Sequence, residues 1–172
     1  MNPLATVEFF ISLKQNEKAK IVLDLLKPYA SSVKDLDELG KLYSDIREFN
    51  DSLEIAQLIY SLVVTDEQKF DARTNIIRAY LNLNKPKEAL VYIGINEREH
   101  PDDHPTKMDR AMAYFLLDRK EEGEKILRNI LTEPHTDDIN FRVNFNLGTY
   151  DLRKGNFKEG LKHVLLDGRK LN

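Results

Sequence analysis

The sequence repeats itself. A small residue stands at Ala19, Ser52, Ala89, Gly123 and Gly160, at intervals of 33, 37, 34 and 37 residues. A large side chain precedes the first four of them: Phe10, Tyr43, Tyr80 and Tyr114. A period of this length is the mark of a unit that cannot bury its apolar face alone and is stabilised by stacking on its neighbours. Five such units tile the chain as a single domain, at approximately 1–32, 33–69, 70–103, 104–140 and 141–172.

Within the units the apolar spacing is three and four. Leu36, Leu39, Leu42, Tyr43 and Ile46 share one helical face, as do Ile76, Ile77, Tyr80, Leu81 and Leu83. Ile126, Leu127, Ile130 and Leu131 repeat the pattern, and no window alternates as a half-buried strand does. Pro28, Pro86, Pro101, Pro105 and Pro134 punctuate these segments. The spacing predicts about ten helices of ~10–15 residues joined by short turns. Paired helices approach closely only where a side chain is small. Gly costs about 1 kcal/mol against Ala inside a helix, so Gly123 and Gly160 point to tight contact. The two intervals of 37 are expected to place their extra residues between one helix pair and the next, near Val64–Gln68 and Pro134–Asn140.

These residues resemble the tetratricopeptide repeat (TPR), a helix pair of 34 residues with the pattern W-x2-L-G-x2-Y followed by small, large and small residues and a closing Pro. Leu36, Leu39, Gly40 and Tyr43 match it in the second unit; Tyr80, Ala89, Ile93 and Pro101 in the third. Ala111, Tyr114, Gly123 and Leu127 match in the fourth, and Leu147, Gly148, Gly155, Phe157 and Gly160 in the fifth. Phe10 and Ala19 are the best matches of the first. The pattern's Trp is absent throughout. The resemblance implies an all-α fold, a right-handed superhelical solenoid of about five TPR-like antiparallel helix pairs.

Composition removes most chemistry. The 172 residues contain no Cys, which excludes disulfides, thiol catalysis, thiolate zinc sites and Fe–S clusters. The formal net charge is −3, against the positive surface that nucleic acid requires. No apolar run approaches the ~20 residues that cross a bilayer, and the start of the chain lacks a basic n-region, so no membrane contact and no signal peptide are expected. A cytoplasmic location is the expectation. His100 and His104, with Glu97 and Glu99, read as a solvated turn with a capping Asp and not as a metal cluster. Asp137 or Asp138 is placed to cap the following helix. Nucleophile elbows, phosphate loops, HExxH and dinucleotide fingerprints are absent. No enzyme activity and no cofactor are expected.

In the resembled family the first helix of each pair lines a concave groove. By that register Asn75 and Arg78, Met108, Met112 and Phe115, and Arg142, Phe145 and Asn146 face inward. Met108 and Met112 are four apart on one helical face, and Met suits adaptable binding surfaces. With Phe115 and Phe145 they form an apolar strip flanked by arginines, suited to a peptide or partner protein; the competing reading is that the strip is core. The carboxylate clamp of chaperone adaptors is not matched, since Asp37, Lys41, Asn75, Pro105 and Asp109 stand at its places. Asn75 and Asn146 occupy two rungs of the Asn ladder found in the TPR part of O-linked GlcNAc transferases. Gly155 to Gly160, with Asp167-Gly-Arg169, is similar to the last repeat of TPR arrays that precede glycosyltransferase domains. The expected function is a non-catalytic scaffold that binds a peptide or partner protein in its groove. The alternatives are the recognition portion of a larger enzyme such as a glycosyltransferase, or a homo-oligomer formed through the terminal helix, where Val164, Leu165 and Leu171 are available.

Overall fold

A computed structural model describes residues 3–166. Among them are ten α-helices and no strand. They are α1 Pro3–Ser12, α2 Asn16–Leu26, α3 Val33–Asp45, α4 Phe49–Leu62, α5 Asp66–Asn82, α6 Pro86–Glu99, α7 His104–Leu116, α8 Lys120–Ile130, α9 Asp137–Arg153 and α10 Phe157–Leu166, with a short 3-10 turn at Lys27–Tyr29 after α2. Consecutive helices pack as pairs: α1 on α2, α3 on α4, α7 on α8 and α9 on α10. Helices α5 and α6 meet through the Tyr80 and Tyr92 rings, 6.0 Å apart. The chain falls into two compact units, Met1–Tyr92 and Ile93–Asn172, the boundary lying within α6.

The period of the sequence is a period of backbone geometry. Each turn inside a pair holds one residue at positive φ: Lys14 (57°), Arg47 (66°), Asn84 (55°), Asp118 (61°) and Gly155 (82°). Each stands five residues before the small residue of its unit. The amide that follows it donates to the carbonyl of Phe10, Tyr43, Tyr80, Tyr114 or Asp151 at 2.8–2.9 Å. Its own amide donates to Ile11, Ser44, Leu81, Phe115 or Leu152 at 2.9–3.1 Å. This double bond pattern is the Schellman cap, which satisfies carbonyls left over at a helix end. The residue after the positive φ then accepts from the amide of Ala19, Ser52, Ala89, Gly123 or Gly160 at 2.9–3.2 Å and so opens the second helix. One turn closes one helix and starts the next.

The first helices of later pairs are capped by side chains. Ser32 accepts from the Asp35 amide and forms a reciprocal box with it; Thr65 accepts from Gln68, Asp103 from Thr106 and Thr136 from Ile139. The capping Asp expected in the His100–His104 segment is Asp103. At the start of α9 the cap is Thr136, and Asp137 and Asp138 lie in the first turn, where the helix dipole favours them. The extra residues of the two longer intervals do not loop out between pairs. They lengthen α5 and α9 to 17 residues, against 13 in α3 and α7. Thr65 and Thr136 stand where an added turn needs its cap, and a helical turn satisfies backbone groups that a loop would leave to water.

Each unit has its own core. In the first, Val7, Leu23, Leu36, Leu39, Tyr43 and Ile55 are buried together. In the second, Met108, Phe115, Leu127, Ile130, Val143 and Leu147 are. Each fully buried aliphatic or aromatic side chain contributes roughly 1.5–3 kcal/mol relative to exposure. The small positions allow this packing. A Cβ on Gly148 would lie 2.8 Å from the Gly160 carbonyl oxygen, and one on Gly160 2.9 Å from that of Gly148. Helices α9 and α10 therefore touch backbone to backbone. A Cβ on Gly123 would lie 2.7 Å from Cδ1 of the Phe115 ring.

Candidate interaction surfaces

In the first unit a cavity of about 170 Å³ opens between α3, α4 and α5. Its floor is aliphatic: Ile55, Ala56 and Ile59 of α4, with Gly40 and Ala79. Its walls are polar. Asp37, Lys41, Ser44 and Asp45 come from α3, and Asn75 and Arg78 from α5. Lys41 Nζ lies 2.6 Å from Asp37 Oδ2, and Asn75 Nδ2 donates to Asp37 Oδ1 at 3.5 Å. Asp37 raises the Lys41 pKa, first by accepting its hydrogen bond and then by its charge.

Elsewhere in this unit charge is committed to holding helices together. The buried Tyr43 donates its hydroxyl to Asp24 Oδ1 at 2.7 Å, and Lys20 bridges Asp24 (3.1 Å) and Asp51 (3.4 Å). Burial pushes the Tyr43 pKa far up, and the bond to Asp24 adds to it. Burial also pushes Asp24 up, but the hydrogen bonds from Tyr43 and Lys20 outweigh it and hold the carboxyl below its ordinary value. Helices α2, α3 and α4 are tied at this point.

The second unit divides the expected strip. Met108 is 2 % exposed and Phe115 6 %. Both fill the core and offer no surface to a partner. Phe115 stacks on Tyr150 with ring centroids 4.2 Å apart. The i,i+4 register that suggested a binding stripe on α7 is the register of the face buried against α8 and α9. Met112 is partly buried against the same core. Phe145 is 50 % exposed and stacks at 6.1 Å on Phe141, which is equally exposed. Arg142 and Asn146, neighbours on α9, are half-buried, with Arg142 Nη1 3.9 Å from Asp138 Oδ2. Asn75 and Arg78 thus lie at the cavity of the first unit, and Arg142, Phe145 and Asn146 on a face of the second.

Ser44, Asp45 and Phe141 stand at these surfaces without having been expected there. Their signal was present: Asp37, Lys41 and Asp45 follow each other at intervals of four on α3, and Phe141 stands four before Phe145. Asp151 occupies the place of Tyr43 and Tyr114 in the fifth turn. Its carboxylate is buried, bonded to Lys120 Nζ at 3.2 Å and Asn156 Nδ2 at 3.1 Å. Val164, expected to be free on the terminal helix, packs against Gly148. The side chains of Leu165 and Leu171, and the segment Asp167–Arg169, lie outside the described residues. His104 Nε2 lies 3.1 Å from Glu133 Oε2, which also accepts from Lys107 at 2.7 Å, so this histidine joins the start of α7 to the segment after α8. Among the described residues no group of three or more His, Asp or Glu is gathered to hold a metal ion, and no helix is long and apolar enough to cross a membrane.

The chain is an all-α helical solenoid with the fold of the TPR proteins. Its fold matches the thermophilic TPR protein TTC0263 of Thermus thermophilus with a TM-score of 0.67 at 19% identity, over 99% of this chain and 92% of that one. It matches MamA of Desulfovibrio magneticus with a TM-score of 0.61 at 15% identity, covering 99% and 95%. The nearly identical TPR-like repeats of a Podosopora anserina protein match at 0.61 and 15% identity, covering 98% and 94%. No family model and no curated protein matches the sequence.

Proposed function

We propose that this chain is a non-catalytic protein-interaction scaffold that holds an extended peptide or a partner protein on the first helices of its pairs. The observation that carries the reading is the open cavity of the first unit. Stacked helix pairs usually seal the space between them with side chains, and here polar groups surround an aliphatic floor that a side chain of a partner can fill. Asn75 supports the same use, because a carboxamide both donates to and accepts from a peptide backbone. On the second unit, Phe145 and Phe141 offer stacked aromatic area with Arg142 and Asn146 alongside, and aromatic residues and Arg are favoured at interface centres. Buried Met108 and Phe115 are left out of this surface.

The test is site-specific photocrosslinking in the source cells. A photoreactive side chain at Ser44 or Asn146 is expected to capture the same partner protein, and one at the exposed Leu25 of α2 is expected not to. Capture at Leu25 alone would move the interaction away from both surfaces and sink the proposal.

A further inference from the structure

The cavity of the first unit carries a charge pattern with a spacing. Asp37, Lys41 and Asp45 succeed each other on one face of α3, negative, positive, negative, at steps of four residues. Four residues of helix advance about 6 Å. An extended peptide places side chains on the same face every second residue, about 6.6 Å apart. The two ladders are therefore nearly commensurate over two steps.

Not all of these charges are engaged. Asp37 and Lys41 are paired with each other and Asp37 also accepts from Asn75, while the Lys41 ammonium, 69% exposed, keeps donors for a ligand. Among the described residues neither Asp45 nor Arg78 has an ion-pair partner within 4.0 Å. Both line the same open cavity, so opposite charges face one opening without pairing. The four charged side chains sum to zero. A purely acidic ligand meets Asp37 and Asp45, and a purely basic one meets Lys41 and Arg78. A ligand with both charges, set apart by the step of the ladder, gains at both ends.

We infer that this cavity selects an extended peptide segment bearing one acidic and one basic side chain two residues apart. The acidic group sits between Lys41 and Arg78, the basic group reaches Asp45, and the residue between them turns outward. The strand's backbone amides run past Asn75, and small apolar atoms rest on Ile55 and Ile59. This rests on the scaffold reading above and adds the chemistry of the partner.

The experiment measures binding of fluorescent nonapeptides, Gly/Ser throughout except for a central Glu-Ala-Lys, Lys-Ala-Glu, Glu-Lys, Glu-Ala-Glu or Lys-Ala-Lys, to the full chain. One of the two mixed peptides with spacing two is expected to bind about tenfold tighter than the like-charged pair and the adjacent Glu-Lys. The preference is expected to shrink with added salt. Arg78→Gln is expected to lower the mixed affinity about tenfold and to shift the preference toward Lys-Ala-Lys. Asp45→Asn is expected to shift it toward Glu-Ala-Glu. Both residues are exposed, so circular dichroism is expected to show unchanged helix in both variants. Equal binding of all peptides, absence of binding by all, or two variants that weaken every peptide alike would overturn the assignment. A partner crosslinked at Ser44 together with any of those results leaves the scaffold standing and removes only the charge rule. Failure of the crosslink with a charge-patterned peptide series does the reverse.

Discussion

At the scale of single residues, the turns carry information that apolar patterning does not. Four of the five positive-φ positions hold side chains: Lys14, Arg47, Asn84 and Asp118. Asn and Asp tolerate this region, whereas Lys and Arg have no local hydrogen bond to favour it, and the left-handed conformation costs an L-residue roughly 1–2 kcal/mol. Gly removes that cost and adds about 0.5–1 kcal/mol of unfolded-chain entropy. Arg47→Gly is therefore expected to leave stability unchanged or raise it by up to about 1 kcal/mol, and Gly155→Val to lower it, both read from urea unfolding. The two aromatic residues of the expected strip separate on the same measurement. Phe115→Ala is expected to cost about 3–5 kcal/mol, as deletion of a core aromatic does. Phe145→Ala, half-exposed, is expected to cost well under half of that while weakening partner capture. Equal losses of stability would mean that Phe145 is core after all.

At the scale of helices, the small positions were legible as points of close approach, but not all are equally tight. Across α9 and α10 an added Cβ at either glycine would meet a side-chain carbon and, within 3 Å, a backbone oxygen of the facing glycine, which cannot move aside. Gly148→Ala and Gly160→Ala are each expected to destabilise by about 1–3 kcal/mol, even though Ala is the better helix former. At Gly94 in α6 an added Cβ meets nothing within 4 Å, and Gly94→Ala is expected to raise stability by up to about 1 kcal/mol. Thermal unfolding of the three variants checks the contrast, and a stabilised Gly160→Ala would refute the tight crossing. The longer intervals read differently from the sequence because spacing alone does not say whether an inserted residue loops out or extends a helix. Thr136 decides it for α9, and Thr136→Ala is expected to cost about 1 kcal/mol and to raise amide exchange in the added turn.

At the scale of the whole molecule, the charge network sets a pH dependence of known sign. Asp24 and Glu133 both titrate below their ordinary values. Burial pushes Asp24 up but its bonds from Tyr43 and Lys20 prevail, and Glu133 is lowered chiefly by the Lys107 hydrogen bond. A carboxyl depressed by folding stabilises at every pH above its unfolded pKa, and that stability is lost as pH falls through the folded value. From these two carboxyls, stability is expected to be flat between about pH 5 and pH 8 and to fall below about pH 4. Urea titrations of wild type and Lys20→Met check this: the variant is expected to show a shallower acid slope, and an unchanged slope would remove Asp24 from the account. The repeat and the helical class were determined by the sequence alone, because a small contact residue and a 3.6-residue apolar period are local requirements that recur at fixed offsets; the left-handed backbone at Lys14 and Arg47 was not, since neither side chain favours it locally. Which apolar residues are buried and which exposed was not. Met108, Met112, Phe115 and Phe145 share a register, and the same apolar side chain serves a core or a surface. Only the packing of α7 against α8 and α9 buries Met108 and Phe115 and leaves Phe145 in water, and only the approach of α3 to α5 brings Asp45 and Arg78 to one cavity. Those are contacts between residues distant in the chain, which no local pattern encodes.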